Sequence, residues 1–236
     1  IRRVEALCKT MSDIKNAGHE VILVSSGAIG MGVGKLGLRQ RPQDIPTKQA
    51  AAAVGQCELM YIYDKLFSEY HHTVAQLLIT NDNMVHETRH RNFTNTLNRL
   101  LELGALPIIN ENDTVSTDEI VIGDNDTLAA KVAQTVKADL LILLSDIDGL
   151  YTADPHKNPD AELLHKVTKI DDYIMNLAGV SSTTQGTGGM VTKLHAAEIC
   201  LSCGCDMVIA NGKNPDNLYA ILDGKEVGTK FTEERV

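Results

Sequence analysis

VILVSSGAIG, residues 21–30, is the stretch on which the fold reading turns. Val21-Ile22-Leu23-Val24 is an unbroken apolar run, which predicts a strand buried on both faces, as in a parallel sheet. Glycine and serine follow at once in Ser25-Ser26-Gly27-Ala28-Ile29-Gly30. A turn of this kind lets backbone N–H groups approach an anion closely, and its hydroxyls add further donors. A plain tight turn would carry the same residues, so this stretch alone leaves its role open.

Outward from this stretch, helical and extended patterns alternate. Upstream, Val4, Leu7, Cys8, Met11 and Ile14 keep a helical spacing over 1–17, and Gly18 is a natural stop. The chain therefore opens on a helix, and a segment preceding Ile1 is expected. Downstream, helices are predicted over 48–70, 92–103, 126–136, 171–177, 189–203 and 218–222. Strands are predicted at 74–79, 106–109, 140–144, 207–210 and 227–231, with a short hairpin strand at 119–122 and a turn-rich loop at 154–159. Such alternation predicts an α/β fold with a mostly parallel sheet between helical layers, in one domain spanning 1–236. Ligands of such sheets bind at the carboxyl ends of the strands. The polar and glycine clusters fall there, after Val24, Ile109 and Leu144.

Composition narrows the partners. Lys+Arg is 22 and Asp+Glu 31 over 236 residues, a net charge of -9, which disfavours nucleic acid and anionic membrane as main partners. No apolar run approaches the roughly 20 residues that span a bilayer. The five cysteines read as reduced thiols of a cytoplasmic protein.

Three clusters carry chemistry. The first is 25–30. The second joins Asn110-Glu111-Asn112-Asp113 to Gly123-Asp124-Asn125-Asp126. There a carboxylate can receive a substrate ammonium and the amides a substrate carboxylate, although Asn and Asp also serve turns and helix caps. The third is Gly186-Thr187-Gly188-Gly189-Met190-Val191-Thr192-Lys193, at the start of a predicted helix. A glycine-rich helix start offers unpaired N–H groups and partial positive charge to a phosphate. Lys193 is placed to neutralise a phosphoryl group in transfer. None of the Gly-Lys pairs (34–35, 212–213, 224–225) precedes Ser or Thr, so no P-loop is present.

Two further patterns resemble metal sites and are not read as such. His86-Glu87-Thr88-Arg89-His90 matches H-E-x-x-H but lacks the third-ligand extension, and Arg89 would set a cation beside the metal. Cys200, Cys203 and Cys205 lie where a helix ends and a strand begins, where cysteine packs as a small hydrophobe.

In combination, VSSGAIG (24–30), TKQAAAAVGQ (47–56), INEND (109–113), GDND (123–126), LLSDIDGLYTADP (143–155), GTGGMVTK (186–193), VIANG (208–212) and VGTKF (227–231) span the chain in order. They resemble the gamma-glutamyl kinase branch of the amino acid kinase family. The resemblance implies a three-layer α/β/α sandwich and ATP-dependent phosphorylation of the side-chain carboxylate of L-glutamate, the first step of proline synthesis. It implies that Ser26, Gly27, Ala28 and Asn125 contact glutamate and that Asp113 holds its amino group. By the same resemblance, Ser145 and Asp146 touch ATP, Thr187, Gly188, Gly189, Met190, Val191, Thr192 and Lys193 bind its phosphates, and Asp126 orients the catalytic Lys193. Mg2+ on the ATP phosphates, proline as inhibitor and a homo-oligomer (dimer or tetramer) belong to the same expectation. So does a preceding strand with a Lys-x-Gly-Ser/Thr motif. Neither a C-terminal PUA domain nor a reductase domain is expected. Related kinases of N-acetylglutamate, aspartate, carbamate or UMP, and a non-catalytic proline or glutamate sensor, are the alternatives.

Overall fold

A computed structural model describes residues 2–115, 125–155, 157–180 and 189–233. Its contacts divide the chain into two units, Ile1–Asn125 and Asp126–Val236.

In the first unit, α1 (Arg2–Asn16) buries Cys8 and Met11, as their helical spacing predicts, and ends before Gly18, whose φ of 100° is a glycine conformation. β1 (Leu23–Val24), α2 (Ala28–Lys35), α3 (Ile45–Ser68), β2 (Val74–Ile79), α4 (Asn81–Val85), α5 (Glu87–Glu102) and β3 (Leu106–Glu111) follow. The sheet order is β1-β3-β2 and both pairings are parallel, with Leu23 opposite Ile108 and Val74 opposite Leu106. All six β3 residues are buried. The burial expected of 21–24 is corrected: Leu23 and Val24 are only half-buried, and among the described residues β1 pairs with β3 alone. The predicted strand 106–109 extends through Asn110 and Glu111, which pair with Leu78 and Ile79. The predicted helix 48–70 begins earlier. Asp44 caps it by accepting from the Thr47 N–H at 2.9 Å, and Pro46 lies in the first turn, where its missing N–H costs nothing.

α2 and α3 meet backbone to backbone. A Cβ on Gly32 would lie 1.8 Å from the Ala51 carbonyl oxygen, and one on Gly55 would lie 1.7 Å from that of Ala28. Only glycine fits at either position, and the contact fixes where α2 begins.

In the second unit, α6 (Asn125–Val136, whose first residue belongs to the first unit) precedes β4 (Leu140–Ser145), β5 (Lys166–Val167), α7 (Asp172–Val180), α8 (Met190–Ser202), β6 (Asp206–Asn211), α9 (Asn217–Leu222) and β7 (Thr229–Phe231). The sheet order is β4-β6-β7-β5. β4 pairs with β6 in parallel from Leu140–Asp206 to Ser145–Asn211, and β5 pairs with β7 in parallel. β6 pairs with β7 antiparallel. Gly228, at φ 70°, leads into β7, and a Cβ there would lie 2.0 Å from the Ile209 carbonyl oxygen. The predicted mostly parallel α/β architecture is thus present. β5 was missed because two residues carry no period. The predicted strand 119–122 lies outside the described residues.

Candidate active site

The first unit gathers the 25–30 turn, the end of β3 and the first residue of α6. Gly27 sits at the N-cap of α2 with φ 96°, and no side chain caps this helix. Ser25, immediately before the turn, is buried and held at three atoms. Its N–H donates to the Ile109 carbonyl at 2.8 Å, its carbonyl accepts from Asn125 Nδ2 at 2.7 Å, and its hydroxyl lies 2.9 Å from the Tyr63 hydroxyl. Ala28 is buried, whereas Ser26 and Gly27 are exposed.

Asn110 and Glu111, read from sequence as strand-end loop residues, are buried within β3. Their polar groups are engaged there, as burial requires. Asn110 Oδ1 accepts from the Glu111 N–H at 2.9 Å and lies 3.3 Å from Asn125 Nδ2, while Asn110 Nδ2 donates to Gln56 Oε1 at 2.9 Å. A shallow recess, open to solvent, is lined by Ala28, Ala52, Gln56, Leu78, Glu111, Asn112, Asp113 and Thr114. Burial, and then the charge of Glu111, push the Asp113 carboxyl up to about 6. Of the predicted residues, Ala28 and Asp113 line this recess, and Asn125 holds the Ser25 carbonyl just ahead of Ser26 and Gly27 in the chain.

In the second unit Lys193 Nζ lies 2.9 Å from Asp126 Oδ2, with the two side chains 11% and 20% exposed. The Thr192 hydroxyl is 3.0 Å from the same carboxylate oxygen and 2.7 Å from the Gly189 carbonyl. Its one proton serves one of them at a time. Gly189 is the N-cap of α8, and no side chain among the described residues caps that helix; within its first turn the Thr192 N–H donates to the Gly189 carbonyl at 3.2 Å. Met190 is buried and Val191 exposed. Thr187 and Gly188 lie outside the described residues.

At the ends of β4 and β6, Ser145 Oγ donates to Asp146 Oδ1 at 3.2 Å, and the Gly212 N–H donates to the Ser145 carbonyl at 2.8 Å. Asn211 Nδ2 donates to Asp148 Oδ1 at 2.7 Å, and Asn211 Oδ1 accepts from the Lys213 N–H at 2.9 Å. The sequence reading assigned no role to Asp148, Asn211 or Lys213, nor to Gln56 or Tyr63. For the last two a signal exists. Gln56 and Tyr63 share a helical face with Ala52 and Leu59, and all four are buried. A polar group on a buried stripe needs a partner.

The two metal-like patterns resolve otherwise. His86 is the N-cap of α5, ahead of the helix that holds His90, and Arg89 pairs with Asp82. The Cys203 and Cys205 thiols donate to the carbonyls of Cys200 (3.1 Å) and Asp206 (3.3 Å). No described helix is long and apolar enough to cross a membrane.

A sequence profile of the amino acid kinase family matches residues 2–211, and the chain belongs to that family. It is 52% identical over 239 residues to the glutamate 5-kinase of Clostridium perfringens, with 100% of this chain and 89% of that relative covered. Against the glutamate 5-kinase of Clostridium tetani the figure is 54% over 228 residues, covering 97% and 85%. A carbamate kinase from Giardia lamblia, bound to AMP-PNP, has the same fold (TM-score 0.68, 19% identity, 98% and 89% covered).

Proposed function

We propose that this chain transfers the γ-phosphoryl group of ATP to the side-chain carboxylate of L-glutamate, the first step of proline synthesis. A carboxylate oxygen attacks the γ-phosphorus as the bond to ADP breaks, giving ADP and glutamyl 5-phosphate. The near-half identity to glutamate 5-kinases along nearly the whole chain supports this reading. One observation carries it at the level of chemistry. Lys193 is buried beside Asp126, in the first turn or so of a helix whose N-terminus no side chain caps.

On this reading the α8 N-terminus, from Thr187 to Thr192, binds ATP phosphates, and Ser145 and Asp146 hold the nucleotide. Lys193 takes up the negative charge that spreads over the transferred group, and Asp126 fixes the lysine's position. Asp113 receives the glutamate ammonium in its ionised form. Asn125, Ser26, Gly27 and Ala28 position the rest of the amino acid. Mg2+ entering with ATP would supply further charge neutralisation. Proline as an inhibitor, assembly into a dimer or tetramer and a cytoplasmic location complete the proposal.

The test is ATP-dependent ADP release with hydroxylamine trapping, across glutamate, N-acetylglutamate, aspartate, carbamate and UMP. Release and a trapped hydroxamate with glutamate alone are expected. Turnover of another member of the panel in its place would contradict the assignment.

A further inference from the structure

The amide orientations in the first unit follow from backbone atoms alone. The Glu111 N–H can only donate, and it meets Asn110 Oδ1 at 2.9 Å. Asn110 therefore presents Nδ2 to Gln56 at 2.9 Å, and the Gln56 atom there must be the oxygen. Asn125, whose Nδ2 meets the Ser25 carbonyl at 2.7 Å, agrees with this orientation. The amide of Gln56 is thereby locked, and its Nε2 is the end left over. No described residue hydrogen-bonds to that nitrogen, although Gln56 is only 8% exposed. Gln56 lines the recess that Asp113, Glu111 and Ala28 also line.

From this we infer that Gln56 Nε2 is a substrate contact that donates to the α-carboxylate of the amino acid, so that Gln56 selects for an anion beside the ammonium. The inference rests on the proposed function and deepens it. Asp113, as the acceptor for the ammonium, and Gln56, as a donor, share one small recess. The ammonium and the α-carboxylate sit on one carbon, so a donor close to Asp113 meets that carboxylate. A site built to donate to a substrate oxygen discriminates against an analogue that cannot accept.

Gln56→Glu is the informative change. It is nearly isosteric and keeps the acceptor for Asn110 Nδ2, but it replaces the donor with a carboxylate. Turnover of glutamate by the unaltered full chain is measured first, so failure of the functional reading shows at that point and failure of the Gln56 role shows in the variants. With Gln56→Glu, the glutamate KM is expected to rise by about tenfold or more, the loss of a hydrogen bond to a charged group. The KM for ATP should stay close to its starting value. The kcat/KM ratio of glutamate to its α-amide, in which an NH2 group replaces one carboxylate oxygen, should fall by at least the same factor. A merely structural role for Gln56 would leave that ratio unmoved in Gln56→Met, which adds no charge to the recess, and an unmoved ratio there overturns the inference. Should Gln56→Glu fail to fold by circular dichroism, Gln56→Met decides the matter. It cannot donate, so discrimination between glutamate and the α-amide should narrow, and unchanged discrimination overturns the inference equally.

Discussion

Lys193 is held 2.9 Å from Asp126 with little access to water, so its charge acts at low dielectric. Lys193→Ala should lower kcat by about 100-fold or more, the scale of losing one preorganised electrostatic stabiliser. Glutamate affinity, measured by calorimetry, should survive, and an unchanged kcat would remove Lys193 from the mechanism. Asp113 gives a pH prediction. Its carboxyl is pushed up from 3.8 to about 6, so in the folded protein it is largely protonated below that value. Only the ionised form attracts an ammonium, so the glutamate KM should climb as pH falls through about 6, and Asp113→Asn should flatten that profile. The sign for stability is opposite. A carboxyl with a raised folded-state pKa stabilises the fold below the unfolded value of 3.8, and that contribution is lost as pH rises through about 6. Asp113→Asn should therefore raise the thermal midpoint at neutral pH while weakening glutamate binding. A lowered midpoint would contradict the burial argument. At this scale the sequence was partly legible. A lysine after four glycine-rich positions at a helix start has few uses other than phosphate. Gln56 was legible only as a polar residue on a buried helical stripe; the partner that orients its amide, Asn110, lies 54 residues away inside a strand.

At the scale of elements, the start of α2 is fixed by two glycines facing each other. Gly55→Ala would drive a methyl to 1.7 Å from the Ala28 carbonyl oxygen and 2.5 Å from Gly32 N. Neither backbone atom can yield without shifting α2, so the change should destabilise by about 1–3 kcal/mol or more, the usual range for overpacking. Denaturant unfolding reads that loss, and a rise in glutamate KM should accompany it because Ala28 lines the recess. An unchanged midpoint would show that the helices can part freely. The types of the long elements were legible from periodicity, as for β2, found at the predicted bounds. The ends were less so. The α3 start was placed too late because Asp44 and Pro46 read as loop until the Thr47 hydrogen bond identifies a cap. Leu23 and Val24 are half-buried although their run is unbroken, because an apolar run does not fix how much of a strand its neighbours cover.

Across the whole molecule, the residues proposed to hold glutamate fall within Ile1–Asn125, and those proposed to hold ATP within Asp126–Val236. Consecutive residues Asn125 and Asp126, at the head of α6, are proposed to serve one set each. Hydrogen exchange should separate the two. Glutamate alone should slow amide exchange around Ser25–Ala28 and Glu111–Asp113, whereas a non-hydrolysable ATP analogue alone should slow it around Ser145–Asp148 and Gly189–Lys193. Protection by glutamate confined to the second set would reverse the assignment. The central claim, that a glutamate carboxylate oxygen attacks the γ-phosphorus of ATP, is tested most directly by isotope transfer. Glutamate labelled with heavy oxygen in its side-chain carboxylate is turned over with ATP and hydroxylamine, and the released phosphate is weighed by mass spectrometry. Hydroxylamine displaces phosphate from the acyl carbon, so phosphate carrying the heavy isotope is the predicted result. Unlabelled phosphate would mean that water, not glutamate, is the acceptor, and would contradict the account.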